Sequence, residues 1–328
     1  MKKLGFGCMR LPLTNPEDPT SVDLEQFCEM IDTFMDNGFT YFDTAYPYHQ
    51  KQSELFVKKA LVERYPRNSF TLADKLPVPF MKVKEDAKRI FDEQLEKCGV
   101  NYFDYYLLHS LNRNHYQTAL KFGCFDFIKK MKEEGKIREI GFSFHDTADI
   151  LDQILTEHPE MDFVQLQINY LDWNSESVQS KLCYETAVKH GKQVVIMEPV
   201  KGGSLVQVPQ DIKTQLQHLD NSLSIASWAI RFAASLKNVR VVLSGMSNLE
   251  QLNDNISYMK EFKPLTQEEN NFLIKLGDQF VHPSQFHVLH VTIVLLDVQN
   301  KSVYQNTLGY SIKENKIYLA VNQKSMKI

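Results

Sequence analysis

The chain has 328 residues, 43% of them hydrophobic, which is enough to bury a large core in one main domain with a modest appendage. Its 37 Lys and Arg stand against 41 Asp and Glu, a formal charge of −4 at pH 7 with no long basic run, so nothing marks a nucleic-acid footprint and a small-molecule partner is expected. Cys8, Cys28, Cys98, Cys124 and Cys183 are scattered without metal or disulfide spacing, and no apolar stretch of signal-peptide or membrane length opens the chain; the expectation is a soluble protein of a reducing cytoplasm with no metal and no membrane partner, its oligomeric state unset.

Short apolar, β-prone runs alternate with amphipathic helical stretches along most of the sequence. Strands are expected at Leu4 to Cys8, Thr40 to Asp43, Phe70 to Lys75, Tyr105 to His109, Glu139 to Phe144, Phe163 to Ile168, Gln193 to Glu198 and Val239 to Ser244. Helical periods lie between them at Leu24 to Met35, Glu54 to Val62, Val83 to Cys98, Leu120 to Glu134, Ala148 to Thr156, Val178 to His190, Leu223 to Ala234 and Leu249 to Met259. Eight such βα units predict a closed parallel (β/α)8 TIM barrel, whose functional loops follow the C-terminal ends of the strands. A last barrel-like helix over Thr266 to Phe280 is followed by β-prone, polar text. The expected division is a barrel over residues 1–280 and a C-terminal tail over 281–328.

Three strand ends carry groups whose chemistry fits together. Tyr41-Phe42-Asp43-Thr44-Ala45-Tyr46-Pro47-Tyr48 sets a carboxylate and a phenol five residues apart where a strand runs into a loop; the third strand ends on Lys75 and the fourth on His109. A phenol, with a pKa near ~10, is a poor proton donor to a carbonyl at neutral pH unless its anion is stabilised. An ammonium at Lys75 would stabilise it, and a carboxylate at Asp43 would keep that buried ammonium charged. His109 can donate a ring N–H to a carbonyl oxygen, and with a nicotinamide as hydride source the reaction would reduce an aldehyde or ketone to an alcohol. Singly, Asp43 reads as a turn cap, Lys75 as a solvated loop lysine, Tyr48 as a rim residue and His109 as a hydrogen-bonded core histidine; four such residue types at three mouth ends favour the joint reading. Two rivals stay open: a Schiff-base aldolase using Lys75, and a barrel that binds the cofactor as a redox sensor without turnover.

Asp43, Tyr48, Lys75 and His109, in that order and on those strand ends, resemble the catalytic tetrad of the aldo-keto reductases. The likeness spans about Leu4 to Phe280, and the phrases Gly5-Phe6-Gly7-Cys8-Met9-Arg10-Leu11-Pro12, Gly141-Phe142-Ser143-Phe144-His145-Asp146 and Ser244-Gly245-Met246-Ser247-Asn248 are closest to a bacterial branch of that family. The resemblance implies NADP(H), or NAD(H), bound across the barrel mouth, in keeping with the lack of a glycine-rich fingerprint of the doubly wound type. By position Ser143 and Gln167 match the pair that bonds the nicotinamide carboxamide, with Phe144 where many members have an asparagine. Met197-Glu198-Pro199-Val200-Lys201-Gly202-Gly203 is similar to the strand-seven loop that passes the cofactor, and Met197 or Glu198 stands where a stacking tyrosine is often found. Ser244, Gly245, Met246, Ser247 and Gln251 resemble the adenosine-phosphate loop, with Asp254 and Asn255 at the adenine. Gly245 and Gln251 occupy the places where the family usually grips the 2′-phosphate with cations, so only a weak preference for NADPH over NADH is expected. The family's N-terminal hairpin, which plugs the barrel floor, is expected to be absent or replaced.

That branch often carries a C-terminal ferredoxin-like segment with a Cys-x-x-Cys-x-x-Cys-x-x-x-Cys-Pro run. No cysteine follows Cys183, so the tail as written is expected to hold no iron-sulfur cluster. Val288, Val291, Val294 and Val298 repeat the spacing of that run, and each follows His287, His290, Ile293 or Asp297, whose codons can end in T. Every valine codon begins GT, so where those codons end in T reading from one base earlier turns each junction into TGT, cysteine, and the junction of Val298 and Gln299 can become CCA, proline, right after the fourth cysteine. The tail is therefore read as a ferredoxin-like segment translated in a shifted frame, the alternative being a natural β-hairpin over Val291 to Leu296.

Overall fold

A computed structural model describes residues 2–281; the tail, with its expected boundary and the shifted-frame reading, lies outside the described residues. Eight parallel strands close in sequential order into a barrel: β1 (Leu4–Gly7), β2 (Tyr41–Asp43), β3 (Thr71–Leu76), β4 (Phe103–Leu111), β5 (Ile137–Phe144), β6 (Phe163–Gln167), β7 (Gln193–Met197) and β8 (Val239–Ser244). β8 returns to β1, setting Phe6 opposite Ser244. Every expected strand is found, and no end differs by more than two residues. The helix expected over Leu120 to Glu134 is two, Arg113–Lys121 and Cys124–Glu133, because Gly123 between them has a φ of +65° and cannot continue a right-handed helix. Gln210–Leu219 is a helix where none was expected; its buried positions, Ile212 and Leu216, are too sparse to signal one.

Side chains alternate along the strands, and through their middle stretches the odd-numbered residues face the barrel interior. Tyr41, Ala73, Tyr105, Leu107, Phe163 and Val241 belong to an interior cluster. Phe6, Phe42, Leu72, Tyr106, Phe142 and Ile196 belong to a larger core packed beneath the helices. Gly5 and Gly141 stand at odd positions of β1 and β5 because the space is already filled: a Cβ there would lie 2.6 Å from Val241 Cγ1 and 2.5 Å from the Phe163 carbonyl oxygen respectively. Continued to the C-terminal ends, the same period of two puts Asp43, Lys75, His109, Ser143, Gln167 and Met197 on the inner face at the mouth.

No hairpin precedes β1 among the described residues. At the floor Arg240 Nη1 donates to Tyr105 OH at 2.9 Å and pairs with Glu139, so side chains of β4, β5 and β8 meet there. Among the described residues no helix is long and apolar enough to cross a membrane, and no group of three or more His, Cys, Asp or Glu side chains is gathered as a metal site.

Candidate active site

β2 and β3 are neighbours, and their inner ends bring Asp43 and Lys75 together. Lys75 Nζ donates to Asp43 Oδ1 at 2.6 Å, to the Thr44 carbonyl at 2.7 Å and to Tyr48 OH at 3.4 Å. The other oxygen of Asp43 accepts from Gln165 Nε2 at 3.1 Å. Lys75 is 1% exposed and Asp43 3%. Burial acts to lower the pKa of the ammonium, but Asp43 and Tyr48 more than offset it and hold Lys75 above the ordinary lysine value. Burial raises the Asp43 carboxyl, with Lys75 and Gln165 opposing. The Tyr48 phenol is likewise raised by burial, Lys75 opposing and Asp43 and Glu198 adding, so it carries its proton at neutral pH.

Tyr48 opens a short turn in which His49, Gln50 and Lys51 all have positive φ. The approach to that turn is tied to the end of β1, since Thr44 Oγ1 and Ser53 Oγ lie 2.9 Å apart and Ser53 Oγ donates to the Cys8 carbonyl at 3.3 Å. The Tyr48 ring meets the His109 ring edge-on, centroids 6.1 Å apart. His109 reaches the mouth through an irregularity in β4: its register with β5 shifts between Leu108 and Leu111, Ser110 has a φ of 62°, and the Ser110 N–H donates to Ser143 Oγ at 2.7 Å. Burial, with Lys75 and then His145 and His115 adding, holds His109 well below the usual histidine pKa. It is neutral at pH 7, able to donate one ring N–H but not to serve as an acid.

The remaining expected residues divide. Ser143, 1% exposed, accepts from the Ser110 N–H and so keeps its own O–H to give. Gln167 Nε2 donates to Asp172 Oδ2 at 2.9 Å, which leaves its oxygen as the open end. Buried Asp172 also accepts from Asn169 Nδ2 at 2.8 Å and Lys201 Nζ at 2.7 Å, and this network ties the β6 end to the β7 loop. Of the two stacking candidates, Met197 faces inward; Glu198 turns the chain with a φ of 56°, Pro199 is buried, and Gly202 again has positive φ. Ser244, the last residue of β8, and Met246 beyond it are buried, and Asn255 Nδ2 donates to Ser244 Oγ at 2.7 Å while its oxygen accepts from Tyr258 OH. The Asn255 amide is thus engaged within the packing, whereas Gly245, Ser247 and Gln251 stay at the surface. Ser247 N–H donates to Gln251 Oε1 at 2.8 Å, and Asp254 accepts from Ser224 Oγ at 2.7 Å.

Three features went unread in the sequence. Gln165 anchors Asp43, and its place two residues before Gln167 on the inner face of β6 was the available signal. Asn169, Asp172 and Lys201 form a network joined only by the fold. Arg10, from the loop after β1, packs its stem against Gly245, with carbons 3.1–3.3 Å from where a Cβ would stand, so a cation borders the strand-eight loop although none lies within it.

A sequence profile of the Aldo/keto reductase family matches residues 3–277. The chain belongs to the aldo/keto reductase family. It is 29% identical over 199 residues to "Probable aldo-keto reductase 1" of Glycine max, covering 57% of this chain and 54% of that one, so it spans about half the length of that relative. Among solved structures, an aldo-keto reductase from Bacillus halodurans in its holo form superposes with a TM-score of 0.65 at 26% identity, covering 84% of this chain and 91% of its own. An aldo-keto reductase from Klebsiella pneumoniae solved with NADPH gives a TM-score of 0.65 at 20% identity, covering 84% and 90%, a likeness of fold.

Proposed function

We propose that the protein reduces an aldehyde or ketone to an alcohol with NADP(H), Tyr48 giving the proton. The observation that carries this reading is the Lys75 ammonium bonded at once to Asp43 and to the Tyr48 hydroxyl. As Tyr48 releases its proton the anion forms 3.4 Å from a cation that Asp43 keeps charged, which lowers the cost of the transfer. Neutral His109 offers an N–H to the carbonyl oxygen and so orients the substrate beside the phenol. The Ser143 hydroxyl and the free Gln167 oxygen are a donor and an acceptor of the kind a carboxamide requires, Met197 supplies an apolar wall, and the backbone around Gly245 with Arg10 beside it suits phosphate. When bound, the nicotinamide supplies the hydride. NADPH in the Klebsiella relative supports this choice of cofactor.

The aldolase reading is disfavoured because Lys75 has three acceptors and is held protonated, without the free lone pair that Schiff-base chemistry needs. The deciding experiment is carbonyl-dependent oxidation of NADPH by wild type and Tyr48→Phe. Activity is expected to fall by roughly 10²-fold or more, with cofactor affinity retained; wild-type turnover in the variant would remove Tyr48 from the role. A wild-type protein that binds NADPH but turns over no member of a broad carbonyl panel would favour the cofactor-sensing barrel.

A further inference from the structure

The turn that carries Tyr48 is strained, and a buried side chain within it ties it to a neighbouring loop. His49, Gln50 and Lys51 have φ of 47°, 52° and 69°, three consecutive left-handed residues of which none is glycine. Each is a costly conformation for a residue with a Cβ, and such a run persists only where its surroundings over-determine it. At its exposed end Lys97 Nζ donates to the Lys51 carbonyl at 3.4 Å, and on the buried side the surroundings are residues 11–19, in the loop between β1 and the first helix. His49 Nδ1 lies 2.7 Å from the Pro19 carbonyl oxygen, and the Leu11 N–H donates to His49 Nε2 at 3.3 Å. A carbonyl only accepts and an amide N–H only donates, so both contacts are satisfied together by the neutral ring with its proton on Nδ1. His49 is 9% exposed, and burial keeps its pKa below the ordinary histidine value with the Pro19 carbonyl opposing, which preserves that form at pH 7. The anchoring loop is itself fixed: Leu11 is 2% exposed, Leu13 and Val22 form an antiparallel bridge, and the Thr14 N–H donates to the Ser21 carbonyl at 2.8 Å.

We propose that His49 is a positioning residue for the reaction: it clamps the left-handed turn to residues 11–19 and thereby sets the Tyr48 hydroxyl beside the Lys75 ammonium. The inference rests on the assignment of Tyr48 as proton donor. The hydroxyl's hydrogen bond among the described residues is the 3.4 Å contact to Lys75 and its ring meets His109 edge-on, so its place depends also on the backbone that bears it. A shift of about 1 Å at a reacting group can cost roughly 10²-fold in rate.

Three substitutions separate a clamp from simple relief of strain. His49→Gly adopts positive φ freely but has no ring; His49→Ala loses the ring and keeps the strain. His49→Asn tolerates positive φ, and its Nδ2 falls where Nδ1 stood, so it can still donate to the Pro19 carbonyl. Expected in steady-state carbonyl reduction is a loss of about tenfold or more in kcat for Gly and Ala, with the NADPH dissociation constant by fluorescence titration unchanged, and recovery of most of that loss by Asn. Should Ala fail to fold, Gly and Asn carry the comparison. Wild-type kcat in His49→Gly, or equal losses in Gly and Asn, overturns the clamp. Tyr48→Phe measured alongside keeps the two readings apart: wild-type turnover there removes the donor assignment, whereas an inactive Tyr48→Phe beside a fully active His49→Gly removes the clamp alone.

Discussion

Replacing Lys75 by methionine is expected to damage stability and activity in ways that can be separated. The change deletes three hydrogen bonds and leaves Asp43, 3% exposed, with Gln165 Nε2 as its remaining side-chain donor. Removing one member of a buried ion pair costs about 3–5 kcal/mol, because the other charge is left uncompensated. Asp43 would respond by taking up a proton, since burial already raises its pKa and Lys75 is the strongest influence against that rise. The sign follows from linkage. A carboxyl whose folded pKa lies above its unfolded value of about 3.9 gives stability that is present below that value and lost as pH rises toward the folded pKa, at up to about 1.4 kcal/mol per pH unit. Lys75→Met is therefore expected to be more stable at pH 5 than at pH 8. Adding Asp43→Asn removes the stranded charge, so the double variant should regain stability at pH 8 and lose most of the slope while remaining as inactive as the single one. Urea midpoints between pH 5 and 8 for the four corners of the cycle, with NADPH oxidation on each, provide the check. Wild-type stability without a pH slope in Lys75→Met would refute the desolvated pair; turnover by the double variant would refute its part in activating Tyr48.

Asp74 is fully buried on the helix side of β3, where burial and then Glu54 raise its carboxyl pKa well above the usual range, so the stability it gives is lost as pH rises. Asp74→Asn, which can keep accepting the Lys75 N–H, is expected to raise the unfolding midpoint more at pH 8 than at pH 5, and an equal effect at both would contradict this. NADPH and NADH are expected to differ less than about tenfold in dissociation constant, roughly 1.4 kcal/mol, and Arg10→Ala to weaken both; a ratio of hundreds that Arg10→Ala leaves intact would show the loop reading to be wrong. For the tail, sequencing the gene is expected to find codons ending in T at His287, His290, Ile293 and Asp297, and any other base at one of them ends the shifted-frame proposal.

The barrel was legible because its strands are short, apolar and regularly spaced, and because a parallel barrel buries both faces of each strand. The convergence of Asp43, Lys75 and His109 was legible for the same reason, since a strand end in this fold is an address at the mouth. What stayed hidden depends on contacts remote in sequence or on backbone conformation. Arg10 reaches Gly245 only because β8 closes on β1. Asn255 turns to Ser244 and Tyr258 because the helix Leu249–Met259 buries that face, a choice the letters Asp254-Asn255 do not carry. The left-handed run after Tyr48 has no glycine to announce it; what permits it is a histidine whose two partners lie 30 and 38 residues earlier.

The period of two that builds the barrel also sets the electrostatics of the site. Lys75 and Asp74 are adjacent in sequence yet point to opposite sides of the wall, Lys75 inward to Asp43 and Asp74 outward to the helix layer with Cys98 and Glu54. Asp43 dominates at 2.6 Å, and Asp74, on the other side of the strand, would act in the same sense only while ionised. The two carboxyl groups meet different fates. Asp43 has a cation and an amide donor and can stay ionised in the interior, whereas Asp74 faces another carboxylate and is driven toward its protonated form, in which it contributes little charge. The ammonium beside Tyr48 therefore depends on Asp43 almost alone, and the phenol's ability to give up its proton depends on a single buried pair rather than on the wider field of the wall.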